Sequence, residues 1–138
     1  MAAAIKNFEG KWNMVDSTNF DEYMKAVGVG MVMRKLAGTA KPQQDIKVEG
    51  DDKISITTST TFKSTVIDFS LGKEFEETTG DGRKVKSVCT VDGNTLKHES
   101  KAQTEDEPDT TITREFNGND MIMILKAKDV TCTRKYQR

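Results

Sequence analysis

The sequence predicts an all-β fold, an antiparallel meander or barrel, with a pair of short helices near its N-terminus. From residue 43 onward, clusters of Gly, Asp, Asn and Pro recur about every 8–12 residues, as turns between short strands do. The segments between these clusters are rich in Thr and Val, which favour strands. Nearer the N-terminus, apolar residues recur at helical spacing. No linker or repeat divides the chain, so we expect one domain over residues 1–138.

The first predicted elements are a strand over residues 9–18 and a helix over residues 19–28. Asn19 is a favourable N-cap, and Glu22 three positions later would complete a capping box. Gly28 is a typical helix end. Four apolar residues fall on the helix face that would turn inward: Phe20, Tyr23, Met24 and Val27.

A second, weaker helix is predicted over residues 31–37, ending at Gly38 before Pro42 blocks further helix. The helical pair therefore occupies about 19–38, and nine further strands are expected after it. The clearest of these strands lie at 54–58, 85–91, 110–116 and 130–137. In residues 121–125 both faces of the predicted strand are apolar, and the pattern gives no cover for Ile122 and Ile124.

The composition excludes several classes of function. The chain carries 21 Lys and Arg against 22 Asp and Glu, so it lacks the positive surplus that nucleic-acid binding needs. Its one histidine, His98, and its two cysteines are too few and too widely spaced for a zinc cluster, and we expect no metal and no cofactor. Neither a Gly-x-Ser-x-Gly elbow nor a phosphate-binding loop occurs, which disfavours an enzyme.

The sequence also predicts where the protein resides. Residues 1–7 lack the apolar segment of a secretory signal, and no run approaches the ~18 apolar residues of a membrane span. We therefore expect a cytoplasmic monomer, with a nuclear location left open, and free thiols at Cys89 and Cys132.

Two arginines fall on inward strand faces. Alternation along residues 130–137 places Arg134 on the same face as Val130, Cys132 and Tyr136, while the opposite face is polar. The same alternation along residues 110–116 places Arg114 beside Ile112 and Phe116.

A buried guanidinium without a counter-charge costs several kcal/mol, so each inward arginine needs an anion or a wet cavity. One interpretation is ordinary ion pairing with protein carboxylates, for which the candidates are Asp68, Asp81 and Glu99. The other is that the anion is a ligand, held by both guanidinium groups and the Tyr136 hydroxyl in an otherwise apolar pocket.

Several segments resemble the intracellular lipid-binding proteins, the family of fatty-acid-binding and cellular retinoic-acid-binding proteins. The resemblance spans nearly the whole chain. The matching segments are Gly10-Lys11-Trp12-Asn13-Met14, Asn19-Phe20-Asp21-Glu22-Tyr23-Met24, Val27-Gly28-Val29-Gly30, Arg34-Lys35, Ala40-Lys41-Pro42, Ser59-Thr60-Thr61-Phe62-Lys63, Gly72-Lys73-Glu74-Phe75-Glu76-Glu77, Asp81-Gly82-Arg83-Lys84-Val85-Lys86-Ser87 and Cys132-Thr133-Arg134-Lys135-Tyr136.

This resemblance implies a ten-stranded antiparallel up-and-down β-barrel, or β-clam, with a two-helix lid. It also implies that Arg114, Arg134 and Tyr136 bind a ligand carboxylate. Five further residues match positions near the acyl chain or the portal: Phe20, Met24, Ala37, Phe62 and Asp81. Each has a plainer interpretation, namely helix packing, the end of a strand or, for Asp81, turn formation.

The implied function is a non-enzymatic carrier of a long-chain fatty acid, and the alternative is retinoic acid on the same scaffold. Residues 57–61 and 129–134 lean toward the retinoic-acid branch. Residues 37–42 and Phe62 lean toward the fatty-acid branch, which we favour. Retinol, being uncharged, would leave both arginines unpaired.

Other charged and polar residues carry weaker expectations. Lys25, Arg34 and Lys35 lie on or beside the helices and either solvate the lid or steer it to anionic membranes. Arg83 is as well placed for the surface as for the interior. His98 is expected to be structural, and Cys132 to line the cavity as a small apolar residue.

Overall fold

A computed structural model of the chain describes residues 5–138 and contains a single ten-stranded antiparallel sheet. A short 3₁₀ helix, Ile5–Phe8, precedes it. Two α-helices, α1 (Phe20–Ala26) and α2 (Met31–Gly38), lie between the first and second strands. The strands are β1 (Gly10–Thr18), β2 (Gln43–Glu49), β3 (Lys53–Ser59), β4 (Ser64–Ser70), β5 (Phe75–Thr78), β6 (Lys84–Asp92), β7 (Thr95–Ala102), β8 (Thr110–Asn117), β9 (Asp120–Ala127) and β10 (Val130–Gln137).

The strand order is β4-β3-β2-β1-β10-β9-β8-β7-β6-β5, so every neighbouring pair but one is consecutive in the chain. The exception is the pairing of β1 with β10, in which Asn13 lies opposite Gln137 and Thr18 opposite Thr133. The edges of the sheet are β4 and β5, which are not hydrogen-bonded to each other. The predicted β-clam is therefore confirmed, with a seam between β4 and β5.

The two predicted helices are present, but the predicted capping box is wrong. Asn19 has a left-handed backbone conformation, with φ of 66°, and its side chain makes no capping hydrogen bond. Its amide Nδ2 instead donates to the carbonyl oxygen of Thr131 in β10, at 3.2 Å. The chain turns abruptly from β1 into α1 at this point, and this geometry takes the Asn19 side chain away from the helix end.

The apolar face of α1 turns inward as expected, since Tyr23, Met24 and Val27 are buried. At the other end of the barrel, Phe8 stacks on Phe116 with ring centroids 4.1 Å apart, and Trp12 meets Phe116 edge-on at 5.4 Å. This aromatic cluster fills the barrel end away from the lid.

The outward isoleucines of β9 are only half-buried. Ile122 lies between Glu115 and Lys135 on the flanking strands, and Ile124 lies between Thr113 and Thr133. Directly opposed side chains on adjacent strands are close enough to cover one another. Neighbours on the outer face thus provide the cover that the sequence pattern did not indicate.

Arg138 joins the two ends of the described chain. Its Nη1 donates to the carbonyl oxygens of Asn7 and Glu9, at 2.7 and 2.6 Å, and its Nη2 donates to that of Gly118, at 2.9 Å. The guanidinium also lies over the Trp12 ring, 4.4 Å from its centroid. Arg138 therefore closes the barrel at the aromatic end.

Candidate functional site

A cavity of about 460 Å³ lies inside the barrel, beneath the two helices. Its volume falls in the range of small-molecule sites. The eight residues predicted for the ligand site all line this cavity. They are Phe20, Met24, Ala37, Phe62, Asp81, Arg114, Arg134 and Tyr136.

Arg114 lies on β8 and is 4% exposed. Its Nε donates to Oε1 of Gln44 on β2, at 3.0 Å, while its Nη1 is buried without a hydrogen-bond partner. Burial lowers the pKa of Arg114, and the nearby Cys89, Tyr136 and Glu77 only partly oppose this effect. A buried donor without a partner is costly, so this guanidinium can gain free energy from an incoming acceptor.

Arg134 lies on β10 and is 5% exposed. Its Nε donates to the Ser17 hydroxyl at 3.0 Å, and its guanidinium lies over the Phe20 ring, 3.6 Å from the centroid. Burial lowers the pKa of Arg134 and raises that of Tyr136, and the interaction between the two side chains partly opposes both shifts. The lid residue Phe20 thus contacts the charged group directly, by a cation–π interaction.

The ion-pair interpretation of these two arginines is wrong for the part of the chain that the structure describes. Asp81 pairs with Arg83, with its Oδ2 at 2.7 Å from Nε. Glu99 pairs with Lys97 at 3.5 Å, and no ion pair of Asp68 is found among residues 5–138. Neither Arg114 nor Arg134 has a carboxylate partner within this part of the protein.

Arg83 faces inward and is 8% exposed, which decides between the two interpretations of this residue. Its side chain, like that of Asp81, lines the cavity near the lid, close to Tyr23. Asp81 also accepts a hydrogen bond from the Thr79 hydroxyl within the turn between β5 and β6. Asp81 is therefore both a turn residue and a counter-charge.

The remaining lid and portal residues differ in exposure. Met24 is 5% exposed, Phe20 and Ala37 are half-buried, and Phe62, in the turn between β3 and β4, is 55% exposed. Cys132 is buried in the apolar core but is not among the residues that line the cavity, so the expectation for it was wrong. Its side chain packs among the buried apolar residues of the hydrophobic core.

A hydrogen-bonded pair on the cavity wall, formed by His98 and Glu77, was not predicted from the sequence. Nε2 of His98 lies 2.6 Å from Oε2 of Glu77, and the two side chains are 5% and 9% exposed. Burial acts to raise the pKa of Glu77, but the hydrogen bond and charge of His98, with help from Ser87 and Arg114, outweigh it and hold the pKa below its usual value. The sequence did contain a sign that His98 faces inward. Leu96, His98 and Ser100 alternate with polar residues and so share one face of the strand, and all three are buried in the structure.

Gln44 was missed as well. It lies on the same face of β2 as Ile46 and Val48, and all three side chains are buried. That pattern was available in the sequence and would have placed the polar side chain of Gln44 on the inward face of the strand.

Helix α2 presents an exposed apolar surface. Met31, Val32 and Met33 on α2 are 62%, 79% and 54% exposed, and Leu36 is 39% exposed. Arg34 is not a free surface charge, because its Nε donates to Oδ1 of Asp21 at 3.1 Å and its Nη1 donates to the carbonyl oxygen of Val29. Lys25 and Lys35 remain exposed beside this surface.

Two structural features concern metals and membranes. Within residues 5–138, no three His, Cys, Asp or Glu side chains are grouped so that they could hold a metal ion. Neither of the helices described is long and apolar enough to cross a membrane.

Comparison with known proteins identifies the family. The family model for lipocalins and cytosolic fatty-acid-binding proteins matches residues 9–138. The sodium/calcium exchanger regulatory protein 1 of Doryteuthis pealeii is 56% identical over 94% of both chains. Fatty acid-binding protein 5 of Mus musculus is 42% identical over 99% of this chain and 98% of its own.

A solved structure agrees with these relatives. The protein described as the REP1-NXSQ fatty acid transporter is 54% identical, covers 96% of both chains and superposes with a TM-score of 0.90. Two of these three matches are named for fatty acids, so the retinoic-acid alternative is not favoured. The chain belongs to the lipocalin and cytosolic fatty-acid-binding protein family.

Proposed function

We propose that this protein is a non-enzymatic carrier that binds one long-chain fatty acid inside the barrel. Arg114, Arg134 and Tyr136 hold the carboxylate, and the acyl chain runs toward the portal along Phe20, Met24, Ala37, Phe62 and Asp81. The observation that carries the proposal is that two buried guanidinium groups face one cavity without a carboxylate partner among residues 5–138. Relatives named for fatty acids support the same ligand.

A bound carboxylate would satisfy several groups at once. It is an acceptor-only anion with two oxygens, and a guanidinium offers five donors in a planar fork. The Nη1 of Arg114 lacks a partner, and the Tyr136 hydroxyl lies beside Arg134. The acyl chain would meanwhile bury apolar area against the lid and the barrel wall.

The test is a calorimetric titration with oleate and with methyl oleate. We expect micromolar or tighter binding of oleate and much weaker binding of the ester, because the ester offers no anion to the arginines. Equal affinities would remove the carboxylate role from this site. Incubation with the lipid followed by mass spectrometry would check that the cargo is returned unchanged.

We further propose that the carrier acts as a cytoplasmic monomer and exchanges its cargo at anionic membranes through the lid. The exposed apolar side chains of α2 support this proposal, as do Lys25 and Lys35 beside them. Basic groups near an anionic surface contribute about 1 kcal/mol each. The transfer rate of a fluorescent fatty acid to anionic vesicles should exceed that to zwitterionic vesicles, and the double substitution Lys25→Glu and Lys35→Glu should remove the difference.

A second candidate function is regulation of a membrane sodium/calcium exchanger. It is supported by the 56% identity with a protein named for that role, over 94% of both chains. The measurement is exchanger current in an excised membrane patch, with the protein added in its oleate-loaded and oleate-free forms. No change of current with either form would exclude this candidate and leave the carrier proposal intact.

A further inference from the structure

The cavity has two chemically different sides. The lid and strands β3, β4 and β9 contribute the apolar side chains of one side, among them Met24, Ile56, Ile67 and Leu125. The opposite side carries Glu77, His98 and Ser100, and Ser87 on the neighbouring strand β6 lies directly across from Ser100. We call Glu77, Ser87, His98 and Ser100 the polar wall. A saturated acyl chain needs only the apolar side, so the polar wall calls for a separate explanation.

The hydrogen bonds within the polar wall leave one group unused. The Ser87 and Ser100 hydroxyls are 2.8 Å apart, and Nε2 of His98 is bonded to the Glu77 carboxylate. The other ring nitrogen of His98, Nδ1, is buried and has no partner, although His98 is only 4% exposed and lines the cavity. Buried polar atoms normally have a hydrogen-bond partner, and this nitrogen faces a cavity that can admit one from outside the protein.

The chemistry of the missing partner follows from the histidine. If the ring is neutral and Nε2 donates to Glu77, Nδ1 is an acceptor, and if the ring is protonated, Nδ1 is a donor. A hydroxyl group serves either state, because it both donates and accepts. The serine hydroxyls of the wall can also donate or accept by rotation.

We propose that the polar wall is a second recognition site within the cavity, for a hydroxyl group on the acyl chain, so that the cargo includes monohydroxylated long-chain fatty acids. This inference rests on the proposed carrier function, because the same molecule must place its carboxylate at Arg114 and Arg134. The carboxylate site then sets the orientation of the acid, and the polar wall sets which position of the chain can carry the hydroxyl. Water is the competing occupant of the wall.

The test compares stearate with 5-, 9-, 10- and 12-hydroxystearate by calorimetry. We expect at least one isomer to bind as tightly as stearate or more tightly, although the hydroxyl makes that acid less apolar. Isomers whose hydroxyl misses the wall should bind more weakly, because the group is then buried without a partner.

The double variant Glu77→Leu and His98→Phe removes both members of the hydrogen-bonded pair, so that neither polar group is left buried without its partner. It should weaken the preferred isomer about tenfold relative to stearate, which corresponds to 1.4 kcal/mol, because the loss of the Glu77 carboxylate near Arg114 acts on the carboxylate of both acids alike. Ser100→Ala tests the same site without touching a charged group, and Ser55→Ala is its matched control on the outer face of β3. Ser100→Ala should weaken only the preferred isomer, and Ser55→Ala should change neither affinity.

The outcomes separate the two proposals. If stearate binds and every hydroxystearate binds more weakly, or if the preferred isomer is unaffected by Ser100→Ala and by the double variant, the wall holds water and this inference is overturned while the carrier function stands. If neither stearate nor any hydroxystearate binds, the carrier function itself fails, and this inference fails with it.

Discussion

Arg134 is held in the cavity by a serine hydroxyl, a tyrosine and an aromatic face rather than by a counter-charge. The charge therefore destabilises the ligand-free protein and stabilises the complex. Burial favours the neutral form of the guanidinium, whereas an incoming anion favours the charged form. The strength of ligand binding and the stability of the ligand-free protein should respond to this residue in opposite directions.

Substituting Arg134→Gln tests that opposition. The glutamine keeps a hydrogen-bonding group but removes the charge, so oleate binding should weaken by about 1.5–3 kcal/mol, the range for a hydrogen bond to a charged group. The ligand-free variant should be at least as stable as the parent. Thermal melts with and without oleate measure both effects, because the ligand-induced rise in Tm follows the ratio of free ligand to Kd.

Lys135→Gln is the matched control, because Lys135 is the neighbouring residue on the outer face and loses the same charge. It should keep the full oleate-induced rise in Tm. An Arg134→Gln protein that loses ligand-free stability yet retains the full rise would make Arg134 a structural residue and move the carboxylate site elsewhere.

The Glu77 carboxylate predicts how stability depends on pH. Its pKa in the folded protein lies below the ordinary value of 4.5, so its ionised form favours folding. This contribution is fully present above the unfolded-state pKa and is lost as the pH falls through the folded-state pKa. Denaturant titrations should show a steeper fall in the free energy of unfolding of the parent below about pH 4.5 than of Glu77→Gln.

Glu76→Gln serves as the comparison for this measurement, because Glu76 is the exposed neighbour of Glu77 on β5. Its stability should follow that of the parent at every pH. A parallel fall for the parent and Glu77→Gln would mean that the Glu77–His98 pair contributes nothing to acid stability.

The sequence could predict the inward arginines but not what surrounds them. Arg114 and Arg134 stand out because each interrupts an otherwise apolar face of a strongly alternating strand. The pairing of Arg83 with Asp81, and of Glu77 with His98, depends on which strands and turns become neighbours and how far each side chain reaches. Alternation gives the face of a side chain, but its partners are set by tertiary packing.

The two helices of the lid are tied together by Arg34. Its side chain contacts Asp21 on α1 and the carbonyl oxygen of Val29 in the connecting turn, so it links α2 to both. The side chain is only 15% exposed, although the helix around it is largely exposed. Arg34 therefore holds the angle at which α2 lies over the cavity.

Arg34→Ala should loosen the lid. We expect faster amide hydrogen exchange in α2 and faster release of a fluorescent fatty acid, with little change in the exchange of the barrel strands, because local opening costs less than global unfolding. Lys35→Ala, which removes an exposed charge from the same helix, should leave both rates near those of the parent. Unchanged exchange in Arg34→Ala would show that apolar packing alone positions the lid.

The helices and the most strongly alternating strands could be predicted from the sequence, whereas the strands at the seam were the hardest to predict. The strands β4 and β5 flank the seam, and their alternation is shallow because many of their side chains are half-buried or exposed on both faces. Helix α1 was found from its apolar spacing, but its cap was not, because the conformation of Asn19 is fixed by the turn from β1 and by the contact with β10.

The whole molecule keeps both of its thiols away from solvent. Cys89 and Cys132 are free and buried, and burial raises the pKa of Cys89 to about 12. Because the thiolate is the reactive form, both cysteines should react slowly with iodoacetamide in the folded protein and fully in denaturant, as intact-mass measurement would record. Reductant should leave the Tm unchanged, and a fall in Tm would reveal a disulfide.

The topology has a consequence for the order in which the barrel assembles. The pairing of β1 with β10 joins segments separated by nearly the whole chain, while all the other strand pairs are consecutive. Bringing such distant segments together costs more loop-closure entropy than forming a hairpin, and folding slows as the average separation of contacting residues grows.

A circular permutant would remove this long closure. If the chain is opened between Lys73 and Glu74, at the seam, no strand pair is broken, and Arg138 already lies against Asn7 so that a short linker can join the original ends. Every neighbouring pair of strands then becomes consecutive in the chain, and the β1–β10 pair becomes a local one. Stopped-flow refolding should be faster for the permutant than for the parent, and an equal rate would mean that closure of the barrel is not the slow step.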